Sequence, residues 1–366
     1  MKIVIIGGHI TPALATMDAL VKLDSKVEFF FIGRKHTREG DKALSAEYLL
    51  MTQKGIKSYS LTTGRLQRQF TRYTIPSLFK IPYGLYQSLA ILREIKPDVI
   101  CAFGGYLAVP VVIAGWLLKI PSITHEQTLI PGLANKIVSR FVQKIALSFE
   151  DTKKYYPYAH TVVTGNPIRS EISVAKGNFI LDKKELPVIY ITGGNQGAHP
   201  INELIFNILP QLLTFAHVVH QTGNATFFND FSRAKRLEQS YAKKYAGSYT
   251  VFDYVTPDLI GDVFSYSDIV ISRSGINTLC ELLYLAKRAI LIPIPLHREQ
   301  EYNADFFSQS GLGVALSQER LSPERLLKII QDMLGRKITE SDALKAKAMV
   351  LPDAAGALAR VIHDIV

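Results

Sequence analysis

The chain has 366 residues, 48% of them hydrophobic and 20% charged, with a formal net charge of +10 at neutral pH. That length predicts two domains of ordinary size, each with its own core, and the composition excludes an intrinsically disordered protein. Cys101 and Cys280 each accompany an apolar run, so both read as small buried hydrophobes and give no sign of a disulfide framework or a metal site.

The opening MKIVIIGG has one Lys, a short apolar run and an immediate glycine turn, the pattern of a buried first strand rather than of a signal peptide. Further strand-like runs follow at Val27–Ile32, Val99–Ala102, Ser122–Thr124 and Lys144–Leu147, with helical patterns between them. The longest apolar run, Leu107–Leu118, is 12 residues and contains Pro110, against the ~20 that a membrane-spanning helix needs. A soluble or membrane-surface protein is therefore expected. After a weaker stretch, Ser170–Glu185, the strand pattern restarts at Val188–Thr192, His217–Gln221, Tyr249–Val251, Ile269–Ile271 and Ala289–Ile292. Strands alternating with helices in this way predict an α/β protein of two Rossmann-like, doubly wound parallel-sheet domains with a cleft between them.

Ligands of such sheets bind at the carboxyl ends of the strands, so the loops there carry the chemistry. The first loop, Gly7-Gly8-His9-Ile10-Thr11-Pro12-Ala13, sets His9 at a helix start. A neutral imidazole is well matched to taking a proton near pH 7, although one His in a turn is more often structural. Phe103-Gly104-Gly105-Tyr106 and His125-Glu126-Gln127-Thr128 read as the next two polar loops. In the second half, Gly193-Gly194-Asn195-Gln196-Gly197-Ala198 has neither the GxGxxG spacing of a dinucleotide fold nor the GK[ST] of a P-loop, yet suits a phosphate. Asp268–Glu281, DIVISRSGINTLCE, reads as strand, glycine turn and helix, with Ser274 as N-cap and Thr278 in the first turn. An ordinary capped βα unit has the same pattern. Pro293–Asn303 reads as a polar loop that presents Gln300.

The excess positive charge is confined to the first half: residues 1–165 hold 21 Lys and Arg against 11 Asp and Glu, and the remainder is balanced. Tyr48–Arg93 carries seven basic residues, among them Arg65, Arg68, Arg72 and Lys80, and no acid. Interleaved with Phe70, Ile75 and Phe79, they suit an anionic membrane surface; a nucleic-acid partner is not expected, because no RNA or DNA module accompanies them.

Taken in chain order, GGHITPA, FGGY, HEQ, GLAN, TGNPIR, GGNQGA, HQTG, SRSG with Thr278 and Glu281, and QEYNA resemble the MurG family over nearly the whole chain. The resemblance implies a GT-B fold divided into residues 1–165, 166–348 and a last helix at 349–366 that returns to the first domain. It implies inverting transfer of N-acetylglucosamine from UDP-GlcNAc to the C4 hydroxyl of undecaprenyl-diphospho-muramyl-pentapeptide, completing lipid II, on the cytoplasmic face of the cell membrane. For the donor it implies Arg169 and Val255 at the uracil, and Gly194, Asn195 and Gln196 by the diphosphate. Ser274, Gly275, Ile276, Asn277 and Thr278 match the phosphate-binding helix start, Glu281 the ribose ligand and Gln300 the sugar contact. His9 matches the proposed general base, with Gly8, Thr11, Gly104, Tyr106, His125, Glu126 and Thr128 on the acceptor side. The membrane-docking surface maps to Arg65, Arg68, Phe70, Arg72, Ile75, Phe79, Lys80 and Trp116. No cofactor and no metal are implied. Two departures stand out: the first loop is GGHITPA where the family has GGTGGHxxPA, and HEQT replaces HEQN, putting Thr128 in place of Asn. A transferase acting on another lipid-linked acceptor, a UDP-GlcNAc 2-epimerase and a non-catalytic UDP-sugar-binding protein remain as alternatives.

Overall fold

Strands built from runs of Ile, Val and Phe bury both faces, which requires a parallel sheet covered by helices on each side. The computed structural model describes residues 1–36, 44–64, 74–179, 181, 186–223, 225 and 227–366. Two compact units result: Met1–Arg169 together with Leu351–Val366, and Ser170–Val350. Among the described residues, the first unit contains β1 Lys2–Gly7, β2 Glu28–Gly33, β3 Lys57–Ser60, β4 Val99–Phe103, β5 Ser122–Glu126, β6 Lys144–Leu147 and β7 Thr161–Val163. They pair in parallel in the order β3-β2-β1-β4-β5-β6-β7. The second unit contains β8 Val188–Thr192, β9 His217–Gln221, β10 Tyr249–Phe252, β11 Ile269–Ser272, β12 Arg288–Leu291 and β13 Gly313–Ala315, also parallel, in the order β10-β9-β8-β11-β12-β13.

Each sheet reverses its winding once, between β1 and β4 and between β8 and β11. The connections leaving those two strand pairs run to opposite faces, so a crevice opens beyond their carboxyl ends. Successive residues of β1 alternate between two cores. Ile3 and Ile5 pack with Phe31, Cys101, Phe103 and the helices Ile10–Leu23 and Ala354–His363. Val4 and Ile6 pack on the opposite face with Ile100, Ala102, Val111 and Leu92. Each such fully buried aliphatic side chain contributes about 1.5–3 kcal/mol through area removed from water. Cys101 and Cys280 are both buried, and burial pushes the Cys101 thiol up.

Three strands escape the sequence pattern: β3, β7 and β13. Two lie at the edges of the first sheet and one at an edge of the second, where half-exposed sequences such as KSYS lack an apolar run. Three local expectations change as well. His125 and Glu126 are the last residues of β5 and fully buried, not part of a loop. The segment expected as a polar loop at 293–303 becomes helical from Arg298, with His297 as N-cap accepting from the Gln300 N–H. The N-cap of helix Ile276–Tyr284 is Gly275, because the Ser274 hydroxyl donates instead to the Gln300 carbonyl at 2.7 Å.

Candidate functional site

In the second unit a cavity of about 530 Å³ lies beyond the carboxyl ends of β8 and β11, at the winding reversal. One wall is the turn after β8. Thr192 Oγ1 accepts from the Gly194 N–H at 3.0 Å, and both Gly194 and Gly197 adopt left-handed φ of 80°. A Cβ on Gly197 would collide with the Thr222 carbonyl, so glycine is required where this turn meets the end of β9. Gln221, the last residue of β9, braces the turn: its Nε2 donates to Gly194 O at 3.0 Å, while its Oε1 accepts from the N–H of buried Val255 at 3.0 Å.

The opposite wall is the turn after β11. The Arg273 guanidinium donates to the carbonyls of Ile292 (2.9 Å) and Pro293 (3.2 Å) and to Gln318 Oε1 (2.7 Å), and its burial lowers its pKa from the ordinary arginine value. Asn303 Nδ2 donates to Ser274 O, and Gln300 Oε1 accepts from the Ile294 N–H, so helix Arg298–Ser308 is latched onto the Arg-Ser-Gly turn. Gly275 caps helix Ile276–Tyr284 without a side-chain oxygen, which leaves its first-turn N–H groups and the helix dipole available to an anion. Of the expected donor residues, Gly194, Gly275, Thr278 and Gln300 line the cavity. Asn195 and Gln196 are exposed on the glycine turn, Ile276 and Glu281 are buried on the helix beside Asn277, and Arg169 closes the first unit.

Sequence reading stopped at Ala198 and missed its neighbour. His199 opens helix His199–Leu212 and lines the cavity, with Nδ1 2.9 and 3.1 Å from the two oxygens of Asp230. Its ring stacks on Phe228 with centroids 3.8 Å apart and planes 4° apart. Among the described residues, His199, Glu203 and Asp230 also form a group whose ligating atoms lie within 4.8 Å of one another. Protein donors already engage both carboxylates: Arg233 pairs with Glu203, and Asn202 Nδ2 donates to Asp230 at 2.7 Å.

In the first unit the end of β1 meets the end of β4. A Cβ on Gly8 would stand 2.9 Å from the Gly104 and Gly105 backbone, so only glycine permits this approach. His9 is the N-cap of helix Ile10–Leu23, extended at φ −130°, with a side chain that makes no cap bond, and Thr11 follows in the first turn. His9, Gln127 and Asn135 side chains converge on Gly104. Desolvation lowers the His9 pKa below its ordinary value, and the Glu47 carboxylate partly opposes this. Gly8 and Tyr106 line a cavity of about 260 Å³ together with Arg34 and Glu47, two residues that sequence reading did not single out.

Behind this surface, Glu126 accepts from the Thr128 N–H (3.0 Å) and hydroxyl (2.6 Å), Asn135 Nδ2 (2.9 Å) and Tyr156 OH (3.1 Å). Burial raises the Glu126 pKa and those bonds oppose the rise. His125 Nε2 lies 2.9 Å from the Gly165 carbonyl, and burial lowers its pKa to about 4. His125, Glu126 and Thr128 therefore form a buried hydrogen-bonded layer under the glycine loops.

Of the expected membrane-docking residues, Arg65, Arg68, Phe70 and Arg72 lie outside the described residues, and Ile75, Phe79 and Lys80 fall on helix Thr74–Ile95. Trp116, stacked edge-on against Phe141, is exposed, as are Leu117 on the same helix and Tyr83 and Tyr86 on helix Thr74–Ile95. No helix among the described residues is long and apolar enough to cross a membrane.

Residues 6–147 match the glycosyltransferase family 28 N-terminal domain and residues 188–357 the glycosyltransferase family 28 C-terminal domain. A protein of Lachnospira eligens named UDP-N-acetylglucosamine--N-acetylmuramyl-(pentapeptide) pyrophosphoryl-undecaprenol N-acetylglucosamine transferase is 34% identical over 346 residues, covering 91% of this chain and 90% of its own. Its namesake from Clostridium perfringens is 35% identical over 345 residues, with the same two coverages. The crystal structure of Acinetobacter baumannii MurG aligns over 100% of both chains with a TM-score of 0.72 at 23% identity, a likeness of fold. With both domain models matched in order and these relatives matched over nine-tenths of their length, the chain belongs to the MurG family of GT-B glycosyltransferases.

Proposed function

We propose that this protein transfers N-acetylglucosamine from UDP-GlcNAc to the C4 hydroxyl of undecaprenyl-diphospho-muramyl-pentapeptide, with inversion at the anomeric carbon, as a step of peptidoglycan synthesis. The observation that carries this reading is the second unit's cavity, where the glycine turn, the uncapped helix start at Gly275, Thr278 and Gln300 converge in a chain whose relatives bear that transferase name. In this reading UDP diphosphate lies against Gly194 and Thr278, uracil is held near Val255 and Arg169, Glu281 takes the ribose and Gln300 the sugar. Asn195, Gln196, Ser274, Ile276 and Asn277 shape the donor turns.

The acceptor hydroxyl is deprotonated by His9, whose lowered pKa keeps the imidazole neutral at physiological pH. As the anomeric bond breaks, negative charge grows on the leaving diphosphate, and the helix start and Thr278 stabilise it. No metal is assigned a role. In this reading the enzyme works on the cytoplasmic face of the cell membrane; exposed Trp116, Leu117, Tyr83 and Tyr86 on the basic first unit support docking on an anionic membrane surface.

One experiment tests these points together. The protein is given UDP-GlcNAc and a muramyl-pentapeptide lipid in EDTA, in anionic or zwitterionic vesicles, alongside other lipid-linked acceptors. Glycosylation of the muramyl lipid, faster on anionic vesicles and undiminished by EDTA, is expected. Transfer only to a different acceptor, or formation of UDP-ManNAc without any acceptor, would reject the assignment. Rates indifferent to vesicle charge would reject the docking surface, and an absolute need for added Mg²⁺ the metal-free scheme.

A further inference from the structure

We propose that His199, held by Asp230, is a direct ligand of the donor diphosphate. The inference rests on the reading of the second unit's cavity as a UDP-sugar site and adds to it the source of positive charge. A diphosphate brings more than one negative charge into a partly enclosed cavity, and helix N–H groups compensate only part of it. Among the described residues of the cavity wall, two side chains can carry positive charge, Arg273 and His199. Arg273 is drawn to the back of the wall, with Nη1 given to two carbonyls and Nη2 to Gln318. His199 is placed differently.

Its position is fixed by two contacts, one of which is itself braced. Nδ1 sits 2.9 and 3.1 Å from the Asp230 oxygens and donates to that carboxylate, which sets the tautomer. Asp230 is buried and itself fixed by Asn202, whose Nδ2 donates to it at 2.7 Å and to the Thr222 carbonyl at 3.0 Å. The parallel stack on Phe228 sets the plane of the ring. With Nδ1 taken, Nε2 is the one nitrogen left for a ligand. A phosphate oxygen at Nε2 and the carboxylate at Nδ1 together bind the ring as imidazolium, both nitrogens donating. An oriented donor of this kind stabilises charge without reorganising when the bond to the sugar breaks. Asp230 acts through His199 and is a positioning residue.

The test compares UDP with uridine, since only UDP carries the phosphates. Dissociation constants are measured for the unsubstituted protein and for H199A, H199R and D230N, with EDTA or with Mg²⁺. H199A should weaken UDP by ~10-fold or more, the size of one charge-assisted hydrogen bond, and leave uridine unchanged. H199R should restore most of the loss by returning a cationic donor, and D230N should weaken UDP but less than H199A does. Unchanged uridine affinity doubles as the control for folding. An H199A protein with the parent's ratio of UDP to uridine affinity overturns the proposal. So does a loss seen only with Mg²⁺, which would make the His199–Glu203–Asp230 group a metal site. If the parent protein binds neither compound, the reading of the cavity fails first, and the two failures are thereby told apart.

Discussion

His9 is governed by two opposed influences. Desolvation at the helix start lowers its pKa, and the Glu47 carboxylate raises it again, with desolvation the larger. Since the neutral ring is the base, activity should fall as pH drops through a value below the ordinary 6.5. Glu47→Gln removes the raising influence, so the acid limb of kcat/KM, which reports the free enzyme, should move further down. His9→Ala should cut kcat by roughly 10²–10⁴, the usual contribution of a positioned base, with UDP affinity unchanged. An acid limb above pH 6.5, or one that moves up in Glu47→Gln, would reject the base assignment. At this scale the sequence was only partly legible. His9, Thr278 and Gln300 stand out by their place after strands, but a strand end does not reveal which side a polar residue takes. Thr128 and Glu126 hydrogen-bond each other beneath the surface. His199 becomes visible only when Asp230, 31 positions away, is brought beside it.

Among the elements, the glycine turns act as spacers that bring strand ends into contact. Gly8 lies against Gly104 and Gly105, and His9 is aimed by this approach. Gly8→Ala inserts a methyl 2.9 Å from backbone atoms that have no flexible end to yield. It should separate the two loops and lower kcat by ~10²-fold, the scale of a 1 Å misplacement, while UDP binding in the second unit stays as it was. Steady-state kinetics and UDP titration on the same protein check this; equal loss of both would show general unfolding instead. The central strands were legible because a strand buried on both faces must be written in apolar residues. Edge strands β3, β7 and β13 carry no such obligation and are only four, three and three residues long, so no extended apolar run marked them. Ser274 shows a related limit: its type suits an N-cap, but a carbonyl from a helix 26 residues away outbids the local N–H.

At the scale of the whole molecule, the first unit is completed by the end of the chain. Leu358, Ala359 and Ile362 of helix Ala354–His363 are fully buried in the same core as β1 and helix Ile10–Leu23. The hydrophobic stripe of that helix is plain in the sequence, but its partner is not, because contact across some 340 residues leaves no local periodic trace. The ordered set of loop motifs supplied what periodicity lacked, since their succession, and none of them singly, identified the family. The buried cluster that holds Leu358 belongs to the first unit, and the one that holds Ile189, Ile201 and Ile271 belongs to the second. Leu358→Ala should therefore act on one unit. Removing a fully buried leucine from a close-packed site costs about 2–5 kcal/mol. Thermal unfolding followed with and without UDP should show an early transition, lowered by the substitution and indifferent to UDP, ahead of a later one that UDP raises. UDP affinity at 25 °C should match that of the parent protein. A single cooperative transition, shifted as a whole by Leu358→Ala and raised as a whole by UDP, would instead show that the two cores unfold as one.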